Sequence, residues 1–390
     1  MGTMQSAEIW DVFYRPDDPA DLWFAFQLAR SLAEHRQRVR LFCHDVAALS
    51  VAHADLDPSV LIQNLGQVEI LDQRLARTAA ASPNLVQVFD GTAPAPYIAR
   101  YFSQQSGGGW YTLHAPWHGQ PGTSAIQLRT QSQMHRQFDV YMGDSAYAAG
   151  LIRSSHHQPV LRRGPQPMAA ARASMFSLLG LSPEHLESRT TAFLSAGTSI
   201  AWAQWLRVLI DAETSHCLFV EHGPLQEAIA PIFSRQPGQP GSSAIGSLTV
   251  VFLPPLLWAL VDEIIAVSDY VVTDRDDVAF RAAERGTAAV RAETTPAQVA
   301  TSTWMLAGAE PALAAVYRDL ATALGRGSGV PACVGAYLAH LDAFTQHARH
   351  LQERVGRASD LASLLLTSNQ VGPNASVEHL FAPTQPNSMF

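Results

Sequence analysis

Residues 248–290 constrain the fold of this chain most, because apolar runs alternate there with segments of helical periodicity. The first run ends at Pro254-Pro255, where a strand must stop because proline has no amide hydrogen to donate. A helical pattern follows, and a second apolar run at residues 270–272 precedes an acidic loop and another helix, 278–285. This order predicts a β-α-β-α unit of a parallel sheet, whose ligands lie at the carboxyl ends of the strands.

The N-terminal region has the same order of elements. Residues 9–13 and 39–43 are apolar enough for buried strands, and a helix is predicted between them at residues 21–35. Asp17 and Asp21 stand in the loop and at the start of that helix. Aspartates in such places commonly cap a helix, and they also suit a ligand site at the end of a strand. The residue types alone leave both interpretations open.

The length and the two separate runs of strand-helix alternation predict two Rossmann-like domains, since a domain has roughly 100–200 residues. Residues 153–159 and 162–167 are polar and proline-rich, which predicts an interdomain linker in or just after them, roughly at residues 160–185. We therefore predict one domain at residues 1–165, a second at 166–366 and a flexible tail at 367–390. The last helices are expected to pack back on the first domain.

The composition excludes several classes of function. All 26 basic residues are arginine, so the chain has no Walker lysine and no lysine for a Schiff base. A net charge of −8 disfavours a nucleic-acid partner, and no apolar run reaches the roughly 18 residues that span a bilayer. Neither the three scattered cysteines nor the histidines match a metal motif. No signal peptide is visible, so the cytoplasm is the expected location.

Residues 253–282 resemble the nucleotide-sugar half of the EarP family, the bacterial arginine rhamnosyltransferases of elongation factor P (EF-P). That family has a leucine-proline strand end, an Asp-aromatic helix end, an Arg-Gly-Glu-Asp-Ser loop and a Phe-x-Arg-Ala helix. The matching residues here are Leu253-Pro254, Asp269-Tyr270, Arg275-Asp276-Asp277 and Phe280-Arg281-Ala282. Near the N-terminus, the family's two loop aspartates fall on Asp17 and Asp21, after the matching strand Trp10-Asp11-Val12-Phe13.

The resemblance implies a GT-B glycosyltransferase, with two Rossmann-like domains facing a cleft and inverting transfer that needs no metal or other cofactor. It implies dTDP-β-L-rhamnose as the nucleotide-sugar donor and an arginine of EF-P as the acceptor. The catalytic residues that it implies are Asp17, Asp21 and Asp276. It places nucleotide-sugar contacts on Pro255, Asp276, Asp277 and Arg281, and acceptor contacts on Thr112 and His114.

Several ligand contacts of the family are changed in this chain. Trp23 replaces a loop glycine, so its indole is expected to fill space that the family leaves for a ligand. Donor-site residues of the family are replaced by Asp274, Pro255 and Val278, and its glutamate by the shorter Asp276. These changes predict weak donor binding. They leave two alternatives open: a family member that binds a protein partner without turnover, and a glycosyltransferase that uses another nucleotide-sugar.

Overall fold

The computed structural model describes most of the chain as two compact units. The first comprises the described residues of Met1–Ala47, Asp55–Ser155 and Ser359–Phe390, and the second those of Ala48–Ala54 and His156–Ala358. No helix in the described part of the chain is long and apolar enough to cross a membrane. The described residues are 8–16, 19–89, 91–104, 108–114, 126–131, 136–141, 175–177, 179–180, 189–197, 201–293, 296–357 and 361–370.

The described residues of the first unit form an eight-stranded sheet of order β3-β4-β2-β1-β5-β6-β8-β7. The strands are β1 (Ile9–Tyr14), β2 (Arg38–Cys43), β3 (Ile62–Leu65), β4 (Val68–Asp72), β5 (Asn84–Val88), β6 (Gly109–His114), β7 (Ile126–Gln131) and β8 (Arg136–Tyr141). The edge strands β3 and β7 are antiparallel to their neighbours, and the other pairs are parallel. Helices α1 (Pro19–Glu34) and α3 (Ala95–Ser103) follow β1 and β5. Helix α2 (Val46–Ala52) follows β2, and its residues from Ala48 onward belong to the second unit.

The order of the strands reverses at β1, because the chain passes to β2 on one side and returns to β5 on the other. The loops after β1 and β5 therefore flank the crevice where Rossmann folds bind ligands. These loops approach closely at Gly91, where an added Cβ would lie 2.5 Å from the Cα of Tyr14. A side chain at this position would clash with the backbone, so glycine permits the close approach.

The described residues of the second unit form a six-stranded sheet of order β11-β12-β10-β9-β13-β14. The strands are β9 (Thr190–Ser195), β10 (His216–Val220), β11 (Gly241–Ile245), β12 (Leu248–Phe252), β13 (Tyr270–Thr273) and β14 (Ala288–Arg291). The edge strand β11 is antiparallel to β12, and the other pairs are parallel. The helices are α4 (Trp202–Ile210), α5 (Pro224–Ile229), α6 (Trp258–Val267), α7 (Asp276–Arg285), α8 (Pro296–Met305), α9 (Pro311–Arg326), α10 (Val330–Ala339) and α11 (Leu341–Arg357).

The structure confirms the predicted β-α-β-α unit. β12 ends just before the proline pair, and α6, β13 and α7 follow in the predicted order. α7 begins at Asp276, two residues earlier than predicted, because Arg275 has an extended backbone and takes the N-cap position. The helix ends at Gly286, whose φ of 69° is the left-handed conformation that favours glycine. The α/β class with two Rossmann-like sheets is also confirmed.

The core of the second unit lies between its sheet and the helices that cover it. Every residue of β10 and β13 is buried, as expected for parallel strands with both faces covered. Tyr270 of β13 contacts Trp205 of α4 and Tyr337 of α10, with ring centroids 6.4 and 5.8 Å away. These aromatic contacts fix the helices on a sheet whose carboxyl edge carries the polar residues described below.

A last helix, α12 (Leu361–Gln370), packs within the first unit. The Oγ of Ser368 lies 3.2 Å from the Tyr111 hydroxyl of β6, and Arg136 of β8 donates to the Asn369 carbonyl at 2.7 Å. In contrast, α11 contacts the second unit: Nε2 of His347 on this helix lies 2.8 Å from the Met305 carbonyl oxygen. Residues 367–370, expected to belong to the tail, are helical, and residues 371–390 lie outside the described residues.

Replacing Leu365 of α12 by alanine is expected to lower the free energy of unfolding by about 2–5 kcal/mol, because the lost leucine side chain is fully buried. Urea denaturation of the full chain measures this change. Thr367→Ala, an exposed position two residues away on the same helix, is the matched control and should change it by under about 0.5 kcal/mol. Equal effects at the two positions would show that α12 does not stabilise the first unit by packing.

Candidate active site

The carboxyl edge of the second sheet brings together the loops that follow β9 and β13. The order of the strands reverses at β9, so these two loops flank the ligand crevice of the unit. The amide N–H of Gly197, after β9, donates to both carboxylate oxygens of Asp274, after β13, at 3.1 and 3.0 Å. A backbone donor in the ligand crevice is therefore bonded to a carboxylate of the protein itself.

Arg275 follows Asp274 at the start of α7 and is held by two carboxylates. Its Nε and Nη2 donate to the two oxygens of Asp277 at 3.0 and 2.8 Å, and its Nη1 donates to Glu221 at 3.2 Å. Glu221 directly follows β10 and also accepts from the hydroxyl of Ser195, the last residue of β9. The Arg275 side chain is 33% exposed, so this guanidinium borders both the carboxylates and solvent.

Asp276, a predicted catalytic residue, is fixed by two donors of the same unit. Nε of Arg291, at the end of β14, lies 2.6 Å from its Oδ1, and the hydroxyl of Thr301 donates to the same oxygen at 2.8 Å. Burial raises the pKa of Asp276 above its ordinary value, and the nearby Arg291 opposes that rise. The carboxylate is therefore rigidly placed at the carboxyl edge of the sheet.

Asp277 and Arg281, predicted to contact the nucleotide-sugar, are buried beneath the start of α7. Arg281 is 1% exposed, and its Nε and Nη2 donate to Asp262 at 2.6 Å and to the Trp258 carbonyl at 2.9 Å. Asp262 and Trp258 belong to α6, so these bonds join α6 to α7. The described contacts give Arg281 a structural role, and a contact with the donor remains a prediction.

Pro255, the other predicted donor contact, is exposed in the loop after β12, three residues beyond the end of the strand. A cavity of about 540 Å³ lies at the same end of that strand. Its lining is largely apolar and includes Phe252, Leu253, Leu256, Leu260 and Ile264. Such a lining suits the burial of an apolar group, whereas the polar groups that could bind phosphate lie at the loops after β9 and β13.

In the first unit, Asp21 lies in the first turn of α1, the helix that leaves the crevice beside β1. Its carboxylate is 2% exposed, and Arg15 Nε lies 3.0 Å from Oδ2 with a side chain that is 40% exposed. A carboxylate removed from water needs such a partner to stay charged. Asp17, the other predicted base, falls outside the described residues.

The structure places Trp23 in the interior of the first unit, and its expected effect on the ligand space stays a prediction. α1 begins at Pro19, so position 23 lies within the helix, and the indole is buried in the unit with 2% exposure. It packs edge-on against Phe24 with ring centroids 5.1 Å apart, and Phe24 in turn contacts Phe89 after β5 at 4.8 Å. The glycine-to-tryptophan change therefore adds to the hydrophobic interior.

Thr112 and His114, the predicted acceptor contacts, lie on β6, which is separated from β1 by β5. His114 Nε2 lies 2.9 Å from Oδ1 of Asp139, which Arg129 also contacts through two hydrogen bonds. Thr112 pairs in register with Asp139 on β8. The imidazole thus belongs to a network of charged side chains on the sheet, and its contact with an acceptor stays a prediction.

The structure adds five residues to the site that the sequence interpretation did not single out: Arg15, Ser195, Gly197, Glu221 and Arg291. Each stands at or just after the carboxyl end of a parallel strand. Prediction of the strands from the sequence could therefore have indicated these positions, because ligands bind at that end of a parallel sheet. Among the described residues, no group of three or more His, Cys, Asp or Glu side chains is placed to hold a metal ion.

The sequence model of the family described as Elongation-Factor P (EF-P) rhamnosyltransferase EarP matches residues 10–369. No curated protein matches the sequence. A solved structure of EarP, addressing arginine glycosylation of translation elongation factor EF-P, is 20% identical, with a TM-score of 0.60 over 93% of this chain and 100% of that one.

Two plant proteins have the same fold at lower identity. UGT89C1 of Arabidopsis thaliana, complexed with UDP, is 8% identical, with a TM-score of 0.50 over 93% of this chain and 100% of its own. Os79 of O. sativa, also in complex with UDP, is 10% identical, with a TM-score of 0.50 over 92% of this chain and 100% of its own. These likenesses show the fold, which is of the GT-B type.

Proposed function

The chain belongs to the EarP family of EF-P rhamnosyltransferases, and from this premise we propose that it transfers rhamnose from dTDP-β-L-rhamnose to an arginine of EF-P. The observation that supports this proposal most is the family match over residues 10–369, which includes the crevice residues of both units. Because the partner is a translation factor, we place the reaction in the cytoplasm. The enzyme is a glycosyltransferase.

The first unit supplies the base in this proposal. A guanidinium nitrogen of the acceptor forms a bond to the anomeric carbon while the bond from that carbon to the diphosphate oxygen breaks. The acceptor arginine starts as a cation, since its pKa lies above about 12. Asp21 orients the guanidinium and accepts the proton that is lost as the new bond forms. Arg15, whose Nε lies 3.0 Å from Oδ2, holds the Asp21 carboxylate in place.

The second unit holds the donor in this proposal. The start of α7 and the guanidinium of Arg275 lie at the reversal of strand order, where helix N-termini commonly bind phosphate groups. Asp276, fixed by Arg291 and Thr301, positions the sugar. The leaving group is dTDP, whose developing charge these cationic and N–H groups stabilise.

The test is incubation of the chain with EF-P and dTDP-rhamnose, followed by mass spectrometry of EF-P peptides. We expect one added deoxyhexose on one arginine of EF-P. An EF-P variant with lysine at that arginine is the control and should stay unmodified. Unmodified wild-type EF-P that still binds the chain would indicate a protein-binding family member. Modification with another nucleotide-sugar alone would assign a different donor.

Donor binding is expected to be at least about tenfold weaker than in a family member with the full Arg-Gly-Glu-Asp-Ser loop. Pro255 and Val278 replace a stacking aromatic and a serine hydroxyl of the family, and a lost hydrogen bond to a charged group costs about 1.5–3 kcal/mol. Isothermal titration calorimetry with dTDP-rhamnose measures the difference. Affinity equal to that of the intact loop would mean that other residues of this chain replace the lost bonds.

A further inference from the structure

The contact between Gly197 and Asp274 joins the two loops on either side of the reversal of strand order. β9 and β13 are adjacent and parallel, with Ser195 paired to Thr273 at their ends. Gly197 and Asp274 follow those ends, so their contact crosses the carboxyl edge of the sheet where ligands bind. The Gly197 N–H is shared by both carboxylate oxygens, at 3.1 and 3.0 Å.

A carboxylate oxygen and a phosphate oxygen are acceptors of the same kind, and both carry negative charge. A single N–H can serve one of them well at a time, since hydrogen bonds weaken steeply when the geometry is poor. The Asp274 carboxylate therefore occupies a donor that a nucleoside diphosphate in this crevice would use. Its charge also repels a diphosphate nearby.

Arg275, the residue after Asp274, is also bonded to acidic side chains of the protein. The Arg275 guanidinium is held by Glu221 and Asp277, while its 33% exposed side chain borders solvent. Asp277 and Glu221 both contact the Arg275 guanidinium, Arg281 lies 3.9 Å from the same Asp277 carboxylate, and Asp276 is paired with Arg291. Two donors of this crevice that suit an anion, the Gly197 amide and the Arg275 guanidinium, are thus bonded to acidic side chains of the protein.

We propose that Asp274 limits the affinity of the chain for a nucleoside diphosphate by binding the Gly197 amide in its place. Binding of the diphosphate displaces the Asp274 carboxylate from that amide and draws Arg275 away from Glu221 toward the phosphates. The proposal rests on the proposed function for the class of ligand, and it makes Asp274 a determinant of donor affinity.

The experiment compares Asp274→Ala and Asp274→Asn with wild type by calorimetry, using dTDP and thymidine as two separate probes. Alanine removes the acceptor and the charge, whereas asparagine removes the charge and keeps an oxygen near the amide. We expect about a tenfold gain in dTDP affinity for Asp274→Ala and a smaller gain for Asp274→Asn. Thymidine lacks the diphosphate, so its affinity should not change.

Asp319→Ala is the matched control, because Asp319 is exposed on α9 and its loss changes the net charge equally. It should leave dTDP affinity as in wild type. Melting temperatures without ligand establish that each variant is folded. Unchanged or lower dTDP affinity in both Asp274 variants would overturn the proposal. An equal gain for thymidine and dTDP would also overturn it, because the effect would then be on the loop and not on anion competition.

Transfer to EF-P is measured separately with the same variants. If wild type modifies EF-P and neither Asp274 variant binds dTDP more tightly, this inference fails and the proposed function stands. If Asp274→Ala binds dTDP more tightly while neither wild type nor either variant modifies EF-P, the proposed function fails and the inference stands.

Discussion

Replacement of Asp21 by asparagine is expected to lower kcat for EF-P rhamnosylation by about 10²–10⁴-fold, which is the range that a general base contributes. Asparagine has the size and shape of aspartate but cannot accept the proton that the acceptor guanidinium loses. The measurement is a time course of EF-P modification by mass spectrometry, with dTDP-rhamnose in excess. Asp55→Asn, an exposed position in the same unit, is the matched control and should keep the wild-type rate.

The same variant separates catalysis from stability. Asp21 lies inside the first turn of α1, where loss of its charge removes a helix-dipole interaction of only about 0.3–1 kcal/mol. Asparagine leaves no unpaired buried charge, because the Arg15 side chain is 40% exposed and can be solvated. The melting temperature should therefore change little. Equal modification of EF-P by wild type and Asp21→Asn would show that Asp21 serves only as part of the helix start.

Local signals predicted the secondary structure of this chain well. The strand at Leu248–Phe252 and the helices and strand after it appear where the apolar runs and the proline pair place them. Each signal acts over a few residues, because proline removes a donor at one position and periodicity shows which face is buried. The order of strands within each sheet depends on contacts between distant segments, which such signals do not determine.

The contacts of the candidate site also depend on distant segments, so local sequence signals did not predict them. Gly197 and Asp274 are 77 positions apart in sequence, and only the parallel pairing of β9 with β13 brings them together. The pairing of Asp276 with Arg291 likewise depends on β14 lying beside β13. The sequence indicated that acidic residues gather at the start of α7. It did not show that arginines and a backbone amide of the same unit bind them.

Trp23 and Arg281 show that a change or a match in a motif does not reveal the surroundings of the residue. Trp23 replaces a glycine of a ligand loop, yet the start of α1 places its side chain in the interior. Arg281 keeps a residue of the family motif, and its described bonds join two helices. A motif match identifies the type of residue at a position. The structure then shows whether that side chain is buried and which groups it contacts.

Replacement of Arg281 by methionine is expected to lower the free energy of unfolding by about 3–5 kcal/mol, because it leaves the charge of Asp262 buried with a weaker partner. Asp262 is 2% exposed, and after the loss of Arg281 its described cationic partner is Arg285 at 3.4 Å. Urea denaturation measures the change. Arg318→Met, on the exposed face of α9, is the control and should shift the value by under about 0.5 kcal/mol.

A double variant, Asp262→Leu with Arg281→Met, completes the cycle. Replacing both members of a buried ion pair by apolar residues of similar volume is often neutral, so most of the lost stability should return. If Arg281→Met instead leaves the free energy of unfolding unchanged and weakens dTDP-rhamnose binding, Arg281 contacts the donor as the family resemblance implies. Loss of stability with recovery in the double variant assigns Arg281 to the joint between α6 and α7.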